Sequence, residues 1–169
     1  MFKIGQHVIH PGQGVCTVVG FSDEGPAPMI LLRARSGRSE THLSYPLSQQ
    51  NRLHEAISRD AAEDLLATYA ELDVDPFTER NSSLEETHFK QQLKLGAPET
   101  VRVAKTMRCR IAEAEARGKK PSSYYARVLK EARKRSIEEF AVALDAEESE
   151  IEQRFMDAVA AAGELAALN

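Results

Sequence analysis

Residues 1–21, MFKIGQHVIHPGQGVCTVVGF, read as two short β-strands joined by a Pro-Gly-x-Gly turn. Phe2, Ile4, Val8 and Ile9, then Val15, Val18, Val19 and Phe21, are the β-branched and aromatic residues that suit a pleated, half-buried surface. Pro11 fixes φ, while Gly12 and Gly14 can reach positive φ, so the chain can reverse sharply between antiparallel strands. Two more β-type runs follow: residues 29–33 after Gly25-Pro26-Ala27-Pro28, and residues 41–47 after Ser36-Gly37. Four strands this short bury little area, and such a domain is marginal on its own. Unpaired sheet edges accept a strand from another chain, which gives the domain a physical route to a protein partner.

The character changes near residue 57, and five helices can be read from their caps. Ser58 opens the first, which runs to about Ala70 before Asp73-Val74-Asp75-Pro76 breaks it. Ser83-Leu84-Glu85-Glu86 has the form of a capping box, opening a helix that stops at Gly96. Pro98 suits a first helical position, and Gly118 a C-cap. Ser122 opens a helix with Tyr125, Val128, Leu129, Ala132, Ile137, Phe140 and Leu144 along one side. Asp145-Ala146-Glu147-Glu148 reads as another capping box, opening a last helix that ends around Gly163, with an alanine-rich tail expected to fray. The expected organisation is a β-domain, residues 1–57, followed by a helical domain, residues 58–169.

The 169 residues are 42% hydrophobic and 28% charged, which is ordinary for a globular protein. No stretch is long and apolar enough for a bilayer span. Lys3, Gln6 and His7 interrupt the apolar opening, so no signal-peptide core is expected and the cytoplasm is the expected location. Cys16 and Cys109 lie far apart in sequence, as expected of free thiols in a reducing compartment.

The net charge of -4 hides strong segregation. Residues 101–136 carry 12 Lys and Arg against 3 Asp and Glu, whereas residues 137–169 carry 1 against 9. A basic block of this density suits a phosphate backbone or, more plainly, a solvated helical face neutralised by its acidic neighbour.

The order F-K-x-G-x-x-V-x-x-P-x-x-G-V-x-x-V, formed by Phe2-Lys3, Gly5, Val8, Pro11, Gly14-Val15 and Val18, resembles the opening of the CarD/CdnL family of RNA polymerase-binding regulators. A module of the transcription-repair coupling factor starts similarly. The chain departs from the family pattern at His10, where Tyr is usual, and at Gln13, where His is usual. Further along, Phe89-Lys90, Gly96 before a Val-x-x-Val-type helix, and Tyr125 to Arg133 resemble the family's helical domain. The resemblance implies an α+β protein, with a small N-terminal Tudor-like antiparallel β-barrel followed by an all-α bundle of about five helices.

It also implies partners, namely bacterial RNA polymerase, through its β subunit, and promoter DNA held without sequence specificity. Family members often carry an arginine two positions before a strand proline. Ser44 matches it here, and Arg33 and Arg35, with His42, are the candidates to supply polymerase contact. Members that stabilise open promoter complexes insert a Trp at the bubble edge, from a Trp-Ser-Arg-Arg-like segment. The corresponding stretch here is Glu85-Glu86-Thr87-His88, and the chain contains no Trp. The helical spacing of Phe89 with Leu93 assigns Phe89 to the core. Candidate DNA contacts are therefore the cations Lys90, Lys94, Lys105, Arg108, Arg127, Lys130, Arg133 and Lys134, giving salt-sensitive, sequence-independent affinity. The alternative is an adaptor whose acidic helices, residues 58–70 and 147–162, meet a protein.

Catalysis is not expected. His7, His10 and Cys16 invite a zinc site, but His7 and His10 lie three apart on a strand and point to opposite faces. There is no P-loop, no G-x-S-x-G, and no carboxylate pair that the sequence places in a cleft. No cofactor, metal or membrane is expected as a partner.

Overall fold

The computed structural model describes residues 1–36 and 38–164, and divides the chain into two compact units, Met1–Ala56 and Ile57–Asn169. Gly37, in the expected hairpin turn, and the tail at 165–169 lie outside the described residues.

The first unit is an antiparallel sheet of β1 (His7–His10), β2 (Gly14–Ser22), β3 (Met29–Ser36), β4 (Ser39–Pro46) and β5 (His54–Glu55), in the order β4-β3-β2-β1-β5. It is open, with β4 and β5 at its two edges. Strand alternation sends Val8, Cys16, Val18, Ile30, Leu32 and Ala34 to one face, where Leu53 joins them in a core. The register shifts between Val18 and Gly20, and beyond that bulge Phe21 is exposed. Phe2 and Ile4, expected in the first strand, precede it; Gly5, at φ +88°, turns the chain there. β5 escapes sequence reading because two exposed residues carry no alternation.

The second unit contains α1 (Arg59–Ala67), α2 (Ser82–Gln92), α3 (Ala97–Ala116), α4 (Ser123–Leu144) and α5 (Glu148–Ala161). α3 and α4 form its spine. At one end they pack with α1 and α5 around Tyr69, Val101, Phe140, Ile151 and Phe155; at the other they pack with α2 around Phe89, Met107, Tyr124 and Val128. Ser58 caps α1 as expected, accepting from the Ala61 N–H at 3.1 Å. Two expected caps are corrected. Asn81, not Ser83, caps α2, accepting from the Ser83 N–H at 2.9 Å, while Glu86, the acidic end of the expected box, pairs with Lys90 and Arg127. Asp145 closes α4 in the left-handed conformation, φ 49° and ψ 51°, and Glu147 takes the N-cap position of α5. Among the described residues, no helix is long and apolar enough to cross a membrane.

Candidate functional site

On the sheet, register decides which side chains meet. Arg33 lies opposite His42, Leu31 opposite Ser44, and Arg35 opposite Glu40. Residues directly opposite share a face, and so do residues two apart. With Ile30, Leu32 and Ala34 committed to the core, Arg33, Arg35, His42 and Ser44 come together on the outward face of the β3–β4 hairpin. Glu40 shares that face, its Oε1 3.3 Å from Arg33 Nε and 4.0 Å from Arg35 Nε. The Arg35 side chain remains 80% exposed, too solvated for the pair to bind it tightly.

The same row continues across the sheet. Thr17 is opposite Arg33 and His7 is opposite Thr17, with Thr17 Oγ1 3.3 Å from His7 Nδ1. Cys16 is buried on the other face. His10 turns its ring to the Pro11–Gln13 turn, where Nδ1 accepts from the Gly12 and Gln13 N–H groups, both at 3.0 Å. The three zinc candidates thus serve different places, and among the described residues no group of three His, Cys, Asp or Glu could hold a metal ion.

In the helical unit, six of the candidate cations are at or near the surface. Arg127, Lys130, Arg133 and Lys134 line α4, Lys90 is on α2, and Lys94 follows α2. Several are already paired: Lys90 with Glu86 at 3.2 Å, Arg127 with the same Glu86 at 3.2 Å, Arg133 with Glu152 at 3.1 Å, and Lys134 with Glu138 at 3.9 Å. Burial pushes the Glu86 carboxyl up, but the hydrogen bonds from Lys90 and Arg127 outweigh it and hold it below the usual range. Glu86 therefore offsets part of the positive surface.

Lys105 and Arg108 are corrected: they lie inside the unit and cannot line a DNA-facing surface, with exposures of 6% and 3%. Lys105 Nζ donates to the carbonyls of Tyr69 and Ala70 at 2.8 and 3.0 Å and lies 3.9 Å from Glu164. Arg108 donates to the Tyr69 hydroxyl at 2.9 Å, and that hydroxyl donates to Glu164 at 2.7 Å. Burial, despite Arg108, raises the Tyr69 phenol well above its ordinary range. Cys109 sits beside the same carboxylate, 3.8 Å away, and its thiol is pushed up by burial and then by Glu164. Helical spacing held the missed signal, since Ala97, Val101 and Ala104 define a buried stripe that Arg108 continues.

The stretch Glu85–His88 is built inward as well. Glu85 accepts from the Tyr124 hydroxyl, from Arg110 at 2.9 Å and from the Glu79 N–H at 2.8 Å. Arg110 also donates to the carbonyls of Asp75 and Phe77, and Arg102 to that of Asp73, so the irregular segment between Leu72 and Asn81 is pinned to α3. His88 Nε2 lies 2.8 Å from Asp75 Oδ2, and its ring stacks on Phe77 at 3.9 Å. Burial raises the Asp75 carboxyl, but the His88 contact and the Phe77 N–H prevail and lower it. Phe89 is fully buried, as its spacing with Leu93 requires.

No protein-family model matches the chain, and no curated protein matches it.

Proposed function

We propose that this chain is a cytoplasmic bacterial transcription regulator without catalysis, whose N-terminal sheet is a Tudor-like module that docks on the β subunit of RNA polymerase. The opening motif, Phe2 to Val18, carries this reading. The gathering of Arg33, Arg35, His42 and Ser44 on one outward face beside the edge strand β4 supports it. Such an edge offers unpaired backbone groups for strand addition, while the adjacent arginines favour an acidic partner surface.

Docking raises the effective concentration of the helical unit near promoter DNA, so weak phosphate contacts by Lys90, Lys94, Arg127, Lys130, Arg133 and Lys134 suffice to modulate open-complex formation. Without a Trp wedge, the contact is electrostatic and independent of sequence. Glu86 favours a second reading, because it neutralises both Lys90 and Arg127: a polymerase-bound adaptor whose helical unit meets a protein.

Polymerase capture and open-complex lifetime, compared at low and moderate salt, separate the two. Arg33→Glu/Arg35→Glu is expected to abolish capture and regulation together. Neutralising Arg127, Lys130, Arg133 and Lys134 is expected to leave capture intact while flattening the salt dependence, by up to about 0.9 in log-log slope per lost phosphate contact. Unchanged opening and unchanged salt dependence after neutralisation would leave only the adaptor. Failure of the wild type to capture polymerase sinks both readings.

A further inference from the structure

Between the end of α3 and the start of α4 lies a cleft of about 300 Å³. Arg110, Arg117, Lys119 and Lys120 line it, against the carboxylates Glu85 and Glu113. Arg110 and Tyr124 already engage Glu85, so Arg117, Lys119 and Lys120 face Glu113 alone. The local excess is two positive charges. Among the described residues, Arg117, Lys119 and Lys120 form no ion pair, and all three are solvent-exposed.

The remaining wall has a different chemistry. Pro121 and Tyr125 contribute apolar surface, with the Tyr125 ring held edge-on against Tyr124 at 4.7 Å and 75°. Ser122, the N-cap of α4, also lines the cleft, and its side chain caps no backbone N–H.

Charge and size select the occupant. A phosphate monoester carries roughly -1.5 to -2 at neutral pH, which balances the local excess, whereas each phosphodiester of a nucleic-acid backbone brings a single charge. Inorganic phosphate alone would leave most of the cleft to solvent, while a nucleotide-sized molecule fills it and places a ring beside Tyr125.

We propose that this cleft binds a phosphomonoester of nucleotide size, with its phosphate on Arg117, Lys119 and Lys120 and its ring system against Tyr125. The site is separate from the α4 cations offered to DNA and does not depend on polymerase docking.

Calorimetric titration and amide chemical-shift mapping on the full chain test it, with adenosine monophosphate, inorganic phosphate, adenosine and a short DNA duplex as probes. The monophosphate is expected to saturate with shifts clustered at residues 117–125, phosphate to bind at least roughly tenfold more weakly, and adenosine not to bind. Lys119→Gln/Lys120→Gln is expected to cut monophosphate affinity at least roughly tenfold, whereas Lys130→Gln leaves it unchanged. Tyr125→Leu should reduce the monophosphate to the level of phosphate. Circular dichroism confirms that each variant is folded. No saturable monophosphate binding, or binding undiminished in the double variant, overturns the proposal. So does duplex binding that the double variant abolishes while the monophosphate stays silent, an outcome that assigns the cleft to a nucleic-acid backbone.

Discussion

His10 shows how one side chain serves two local needs. Its Nδ1 accepts two turn N–H groups at 3.0 Å each, and its ring meets Tyr45 edge-on at 5.2 Å. His10→Ala is expected to lower stability by about 1–2 kcal/mol, as loss of such acceptors usually does, whereas His10→Asn recovers part of it because an Asn carbonyl accepts from the N–H two residues on. Urea denaturation followed by far-UV dichroism checks the order of the three proteins. Glu164 is the acidic partner of the buried Lys105 and holds the Tyr69 hydroxyl that Arg108 donates to. Glu164→Gln keeps the acceptor but removes the charge, leaving two buried cations less compensated. The expected loss is about 2–3 kcal/mol. Thermal melts that coincide with the wild type would show that the backbone carbonyls of Tyr69 and Ala70 satisfy Lys105 unaided.

At the scale of elements, the sequence revealed most where a local rule met no tertiary competitor. The β-type run that begins β3, the Ser58 cap and the long apolar stripe of α4 were all legible. The α2 start was not, because Glu86, which completes the capping-box spacing from Ser83, is held instead by Lys90 and Arg127, and Asn81 takes the cap. The cation set failed for the same kind of reason at Lys105 and Arg108: charge suggested the surface, whereas helical phase placed both inward. On the sheet, parity alone was enough to bring the hairpin candidates to one face. The α4–α5 junction carries a prediction of its own. Asp145 is the non-glycine residue found at positive φ among the described residues, and a side chain there costs on the order of 1 kcal/mol. Asp145→Gly is expected to gain about 0.5–1 kcal/mol by relieving that strain at the αL cap; an unchanged or lower Tm would mean that Asp145 contributes a contact worth as much.

Over the whole molecule, buried and paired carboxylates pull stability in opposite directions with pH. Asp75 and Glu86 are held below their ordinary values of 3.8 and 4.5, so their stabilisation is complete above those values and lost as pH falls through the lower folded-state ones. Glu139 behaves inversely. Burial raises its carboxyl, and the Ile57 N–H at 2.9 Å only partly counters this. The folded state thus holds the Glu139 proton more tightly than the unfolded state does, so stability declines as pH rises from 4.5 through the raised folded value and stays lower above it. Glu139→Gln keeps an oxygen for the Ile57 N–H and removes the desolvated charge. It should raise Tm by a few degrees near neutral pH, and the gain should shrink towards zero below pH 4.5, where Glu139 is protonated in both states. Melting both proteins across that range is decisive: a gain that does not vary with pH would trace to packing, and a loss near neutral pH would mean that the Glu139 charge is compensated by groups beyond the Ile57 amide.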